Sequence, residues 1–149
     1  MKALVAIDET EASWDAAVFA GELFGEDDEV TLVNVYVPVA QAMAGAGGLV
    51  GFPTVGLNPY LSDVGKNVEQ IKSRLRPAAQ AAGADDIVVE EGSVVDGLCQ
   101  AAEELDADLL VVGNRDRGWL MGLLSPSVSS RLVSSAPCPV LVVRPRDPR

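Results

Sequence analysis

ADLLVVGNR, residues 107–115, is the stretch on which the fold turns. An acid leads into four apolar residues, Leu109, Leu110, Val111 and Val112, and the run stops at Gly113. The four do not alternate with polar residues. A strand with one wet face would alternate, whereas a strand covered on both faces has no reason to. Four residues are also too few for a buried helix. The stretch therefore predicts a strand inside a parallel sheet, followed by a loop that opens on a glycine.

Four more runs share this character, at residues 3–7, 30–37, 87–89 and 140–143. Helical spacing falls between them. Trp14, Val18 and Gly21 mark the first helix, and Val68, Ile71, Leu75, Ala79 and Ala82 the second. Pro77 lies inside the second and should kink or split it, because proline removes a backbone donor. Leu98, Ala101, Ala102 and Leu105 mark the third, with Ser93 and Asp96 as its capping box. Val128, Leu132 and Val133 mark a shorter fourth. Strand and helix thus alternate from β to β through four helices. That alternation predicts an α/β fold: a doubly wound parallel sheet of five strands, with right-handed crossovers and helices on both faces.

At 149 residues the chain has the length of one domain, and residues 1–149 are read as such. The formal charge of −11 argues against nonspecific binding to nucleic acid or to anionic membranes. Histidine is absent, which removes the commonest general base and metal ligand. Cys99 and Cys138 lack metal-like spacing and read as reduced core residues. The start of the chain has no signal-peptide pattern. The weakly polar stretch 37–57 holds prolines and glycines that a membrane span would not. The expected location is the cytoplasm. Residues 38–64, rich in Gly and Ala, read as a long flexible insertion after the second strand. The alternative is a lid or partner surface carrying Leu49, Val50, Phe52 and Tyr60.

In an open α/β sheet, ligands lie beyond the carboxyl ends of the strands, where the strand order reverses. Asp8 ends the first strand and Gly113 the fourth, so they face one crevice if those strands are neighbours. Pattern alone leaves strand order open. Three stretches, VAIDETEAS, VEEGSVVDGLCQAAEELDADLLVVGNR and SSRLVSSAPCPVLVVR, resemble the universal stress protein family. The likeness covers nearly the whole chain except residues 38–64. It implies a five-stranded parallel sheet of order 3-2-1-4-5, with strands one and four side by side.

The family's ATP-binding members share G-x2-G-x9-G-[ST] in the loop after strand four. Gly113 matches the first position, Asn114 and Arg115 follow, and Asp116 replaces the second glycine. Pro126 replaces the third glycine and Ser127 matches the last position. A carboxylate at 116 repels phosphate by roughly 3 kcal/mol per unit charge at about 5 Å and an effective dielectric of about 20. Proline at 126 donates nothing, and one lost charge-assisted hydrogen bond costs roughly 1.5–3 kcal/mol. Even halved by screening, the sum weakens triphosphate binding by roughly ten- to several hundred-fold. Ser125 and Pro126 also make an ordinary helix start that needs no ligand. The backbone donors of Ser127 and Val128 remain for an anion, and Arg115, Arg117 and Arg131 partly offset Asp116.

The adenosine end is better kept. The resemblance gives Asp8 a contact to the nucleoside and Val35 a place lining the base pocket. Glu9-Thr10 replaces the usual Gly-Ser after that acid. Asp8 reads equally well as the cap of the first helix, with Thr10 competing. Two other nucleotide or phosphate folds fail on their patterns. After strands three and five a phospho-receiver would need an aspartate and a lysine, where Glu90-Glu91-Gly92 and Arg144-Pro145-Arg146 stand. No Ser/Thr/Gly-rich phosphate loop follows strand one. Ser125, Ser127, Ser129 and Ser130 have no histidine to activate them. Trp119, Leu120, Met121, Leu123 and Leu124 read as buried under neighbouring helices or as a partner patch. No residue set points to catalysis or to a metal.

The last strand, Pro139 to Val143, is an apolar sheet edge, and the resemblance implies a homodimer through it. The expectation is a dimeric stress-response binding module, not an enzyme, with weakened or lost ATP binding and no tightly bound cofactor. The alternative is an ATP or AMP binder using Mg, with slow ATP hydrolysis at most. A small molecule or a protein is the expected partner, not nucleic acid or a membrane.

Overall fold

All five apolar runs form strands, and the helical patterns fill the gaps. A computed structural model describes residues 1–36, 68–114 and 126–144, with backbone only for 126–130. In chain order the elements are β1 (Lys2–Ala6), α1 (Glu11–Leu23), β2 (Glu29–Tyr36), α2 (Val68–Ala82), β3 (Asp86–Glu91), α3 (Val94–Glu104), β4 (Leu109–Gly113), α4 (Pro126–Ser135) and β5 (Val140–Val143). The sheet is parallel, in the order β3-β2-β1-β4-β5. Ala3, Leu4 and Val5 lie opposite Leu109, Leu110 and Val111, so the first and fourth strands are neighbours.

Side chains leave a strand on alternating faces, and here both faces are dry. Val5, Leu32 and Val111 pack under α1 and α2 with Ala16, Ala17, Ile71 and Leu75. Leu4, Val33, Leu110 and Val112 pack under α3 and α4 with Val95, Leu98 and Leu132. Two half-cores on one sheet explain why the apolar runs do not alternate. The acid of ADLLVVGNR has a structural task. Asp108 Oδ2 accepts from the Lys2 backbone N–H at 2.7 Å, and the Asp108 N–H donates to the Lys2 carbonyl at 2.8 Å. The amino ends of β1 and β4 are thereby pinned in register.

Three expectations need correction. The first helix does not bury Trp14 and Val18: both are exposed, and the buried stripe is Ala12, Ser13, Ala16, Ala17 and Ala20. The reason is closeness. A β-carbon at Gly21 would collide with the Ala81 carbonyl of α2, so α1 packs with small residues where large ones do not fit. Pro77 does not split α2, which runs through it to Ala82. Pro77 and Ser73 are both exposed, so water can satisfy the carbonyl left without its helical donor. Val68 and Val133 also face outward, at the amino end of α2 and on the outer side of α4. The segment 38–64 and the apolar group 119–124 lie outside the described residues. No helix among the described residues is long and apolar enough to cross a membrane.

Candidate functional site

The strand-to-helix turn after β1 is built by a few polar groups. The Ile7 N–H continues the ladder to the Val33 carbonyl at 2.9 Å. Asn34 Nδ2 donates to the Ile7 carbonyl at 2.8 Å, fixing the last peptide before Asp8. Thr10 caps α1, its Oγ1 accepting from the Ser13 N–H at 3.3 Å. Of the two rival caps, Thr10 holds the position. Ser13, buried in the first turn, ties the loop together. Its Oγ accepts from the Asp8 N–H at 3.1 Å and lies 2.7 Å from the Asp8 carbonyl and 3.0 Å from the Thr10 carbonyl. The Asp8 carboxylate turns inward once: Oδ1 accepts from the Thr10 N–H at 3.0 Å. Among the described residues, no hydrogen bond is made by Oδ2.

Asp8 and Val35 then meet. Both line a shallow, open apolar cleft at the carboxyl ends of β1 and β2, with Ser13, Val33, Val94 and Leu98. Its polar groups gather at the Asp8 turn. Val35 is held by Gly97 of α3: a β-carbon there would come within 2.8 Å of Val35 Cγ1. Glu9, expected as an extra charge at the mouth, is paired with Arg74 of α2 at 3.1 Å. Sequence reasoning missed Ser13, Asn34, Gly97 and Arg74. The Thr10-x-x-Ser13 spacing was the legible signal for the first of these.

Gly113 stands at the end of β4, next to β1, and its place has a steric cause. A side chain there would strike the Ala12 carbonyl in the first turn of α1. Asn114 continues the ladder, its N–H donating to the Val143 carbonyl at 2.7 Å. Arg115 and Asp116 lie outside the described residues. Pro126 is the first residue of α4, the position where its missing N–H costs least, and Ser127 and Val128 follow in the same turn. Burial pushes the Cys99 and Cys138 thiols up, with nearby acids adding to the effect, which leaves both poor nucleophiles. No three Cys, Asp or Glu residues gather as metal ligands among the described residues. The described arrangement is one of shape and hydrogen bonding, suited to holding a flat apolar group beside a carboxylate.

Known proteins resemble the chain along almost its full length. The stress response protein NhaX of Bacillus subtilis is 28% identical over 152 residues, covering 96% of this chain and 89% of its own. Universal stress protein Rv1636 of Mycobacterium tuberculosis is 30% identical over 146 residues, covering 94% and 93%. A solved universal stress protein in complex with cAMP is 27% identical, with a TM-score of 0.62 over 97% of this chain and 96% of that one. A family member from Burkholderia pseudomallei shares the fold at 24% identity, with a TM-score of 0.62 over 95% and 94%. The model of the universal stress protein family matches residues 1–144, a span that holds both the Asp8 turn and the glycine wedged against Ala12, and the chain belongs to that family.

Proposed function

We propose that the protein is a dimeric, nucleotide-responsive binding module of the stress response, and that it works by binding and not by catalysis. Its ligand is an adenine nucleotide carrying a single phosphate, AMP or cAMP. The observation that carries this reading is the convergence of Asp8 and Val35 on one apolar cleft. The cAMP complex of a relative 27% identical supports the same ligand class. In this reading the adenine lies against Val35 and Leu98, and Asp8 Oδ2 accepts from the nucleoside. One phosphate needs fewer donors than three and meets less repulsion from Asp116. The triphosphate is the poorer ligand because Asp116 and Pro126 stand where bare backbone would grip it. Wherever a nucleotide binds, Gly113 is required by the fold, so its presence alone does not argue for ATP.

The dimer forms through β5, an apolar edge of which three residues in four are only part-buried. Calorimetry tests the ligand. AMP or cAMP should bind saturably, and Asp8→Ala should weaken binding by about tenfold or more with an unchanged circular dichroism spectrum. Saturable heat from none of AMP, cAMP and Mg-ATP up to millimolar concentration would overturn the nucleotide reading. Tight Mg-ATP binding with turnover would instead restore the ATPase alternative. Sedimentation at micromolar concentration tests the dimer, and a monomer would contradict it.

A further inference from the structure

From Val30 to Val35, β2 buries every side chain but one: Asn34 is only part-buried and carries a primary amide. A strand covered on both faces has no use for an amide as filling, because burying one costs free energy unless it is hydrogen-bonded. Here the bond goes to backbone. The register that sets Ala6 opposite Val33 places Ile7 opposite Asn34. The Ile7 N–H makes its rung with the Val33 carbonyl at 2.9 Å. The next rung of a parallel ladder would run from the Val35 N–H to the Ile7 carbonyl. Among the described residues no backbone N–H meets that carbonyl. Asn34 Nδ2 meets it instead, at 2.8 Å. A side chain thus closes the β1–β2 ladder one peptide before Asp8. It does so from outside the cleft. Val33 and Val35 line the cleft, and successive side chains of a strand leave on opposite faces. Asn34 therefore lies on the other face, with Leu32 and Tyr36, under α1 and α2.

We infer that Asn34 is a positioning residue for the cleft: its amide fixes the peptide between Ile7 and Asp8 and, through it, the direction in which Asp8 presents its carboxylate. The inference rests on the nucleotide reading above and adds a residue that touches no ligand. The Ile7 carbonyl and the Asp8 N–H belong to one peptide plane. Asn34 Nδ2 holds the carbonyl edge of that plane at 2.8 Å, and Ser13 Oγ holds its N–H edge at 3.1 Å. With both edges held, the plane does not rock, and the Asp8 side chain leaves the backbone at a fixed angle. Asp8 Oδ1 is engaged by the Thr10 N–H at 3.0 Å, so Oδ2 is the oxygen that the clamp aims. Releasing the carbonyl edge frees the plane, and a carboxylate that must be ordered on binding gives up affinity.

Exchanging the amide for a carboxyl tests the inference, because a carboxyl donates only when protonated. At about pH 7.5 the ionised group of Asn34→Asp faces the Ile7 carbonyl with no proton to give. At about pH 5 it regains one, helped by a part-buried place that favours the neutral form. Calorimetry with AMP and with cAMP on the full chain compares variant and parent at each pH, so the ligand's own titration cancels. Asn34→Asp should bind about tenfold more weakly than the parent at the higher pH, and within about twofold of it at the lower. Asn34→Leu has similar volume, no donor and no titration, and should bind about tenfold more weakly at both. If Asn34 acts through Asp8, adding Asn34→Leu to Asp8→Ala should lower affinity by no more than about twofold. Circular dichroism shows whether each variant is folded, and Asn34→Leu carries the test if the ionised carboxyl unfolds the chain. Suppose the parent binds, but Asn34→Leu binds equally well, or the loss in Asn34→Asp is the same at both pH values, or the losses from Asp8→Ala and Asn34→Leu multiply in full. Asn34 then serves the fold alone, and the nucleotide reading stands. If the parent binds neither AMP nor cAMP, both fail.

Discussion

Single residues show how far family motifs in this chain serve the fold. Gly113 opens the loop motif, yet its lack of a side chain is demanded by the Ala12 carbonyl. Gly113→Ala should therefore lower stability by about 1–3 kcal/mol in urea denaturation without any nucleotide present. A neutral result would return that glycine to the ligand. Asp106 gives a second case. It holds a φ of 49° at the end of α3, where its N–H donates to the Glu103 carbonyl and the Ala107 N–H reaches the Ala102 carbonyl at 2.9 Å. The same double closure ends α2, but there Gly83 takes the left-handed position. An exposed aspartate in that conformation is tolerated, and glycine is better. Asp106→Gly should raise stability by about 0.5–1 kcal/mol, and Gly83→Ala should lower it by about 1 kcal/mol, both read from the urea midpoint.

At the scale of elements, hydrophobicity misled where closeness ruled. Trp14 and Val18 have helical spacing and large apolar side chains, yet α1 meets its neighbours through alanines. Ala16→Leu or Ala17→Leu should cost about 1–3 kcal/mol, while Trp14→Gln should change stability by no more than about 0.5 kcal/mol. The strands were legible because burial on both faces leaves a short unbroken apolar run. The alanine stripe was not, since an alanine reads the same on either side of a helix. Strand order was beyond the pattern and came from the family resemblance. In the candidate site, Asp8 was legible by its place at the end of the first strand and Val35 only through the family resemblance, whereas Ser13 and Asn34 act through contacts made only after folding. The start of β1 carries a pH dependence as well. The Met1 ammonium and Asp28 pair at 2.8 Å, which raises the amine's pKa above 8.0 and, with the Gly25 N–H, lowers the carboxyl's below 3.8. The amine's contribution is complete below pH 8.0 and fades as pH rises through its folded value. The carboxylate's is complete above pH 3.8 and fades as pH falls through its folded value. Asp28→Asn should therefore lower the melting temperature most between those limits, with the difference from the parent shrinking on either side. A difference constant with pH would contradict the pairing.

On the scale of the whole molecule, the fold brings the end of β1, the end of β4 and the first turn of α4 to one side of a parallel sheet. In the proposed reading Asp8 and Val35 keep the adenosine contacts, while the sequence of the loop after β4 has Asp116 and Pro126 in place of two motif glycines. The account stands on that contrast. Side-by-side calorimetry with AMP, cAMP and Mg-ATP, on the parent and on Asp116→Gly with Pro126→Gly, measures it directly. The account predicts that AMP or cAMP binds at least about tenfold tighter than Mg-ATP to the parent, and that the double substitution narrows the gap by strengthening Mg-ATP alone. Mg-ATP binding the parent as tightly as the single-phosphate ligands would contradict it.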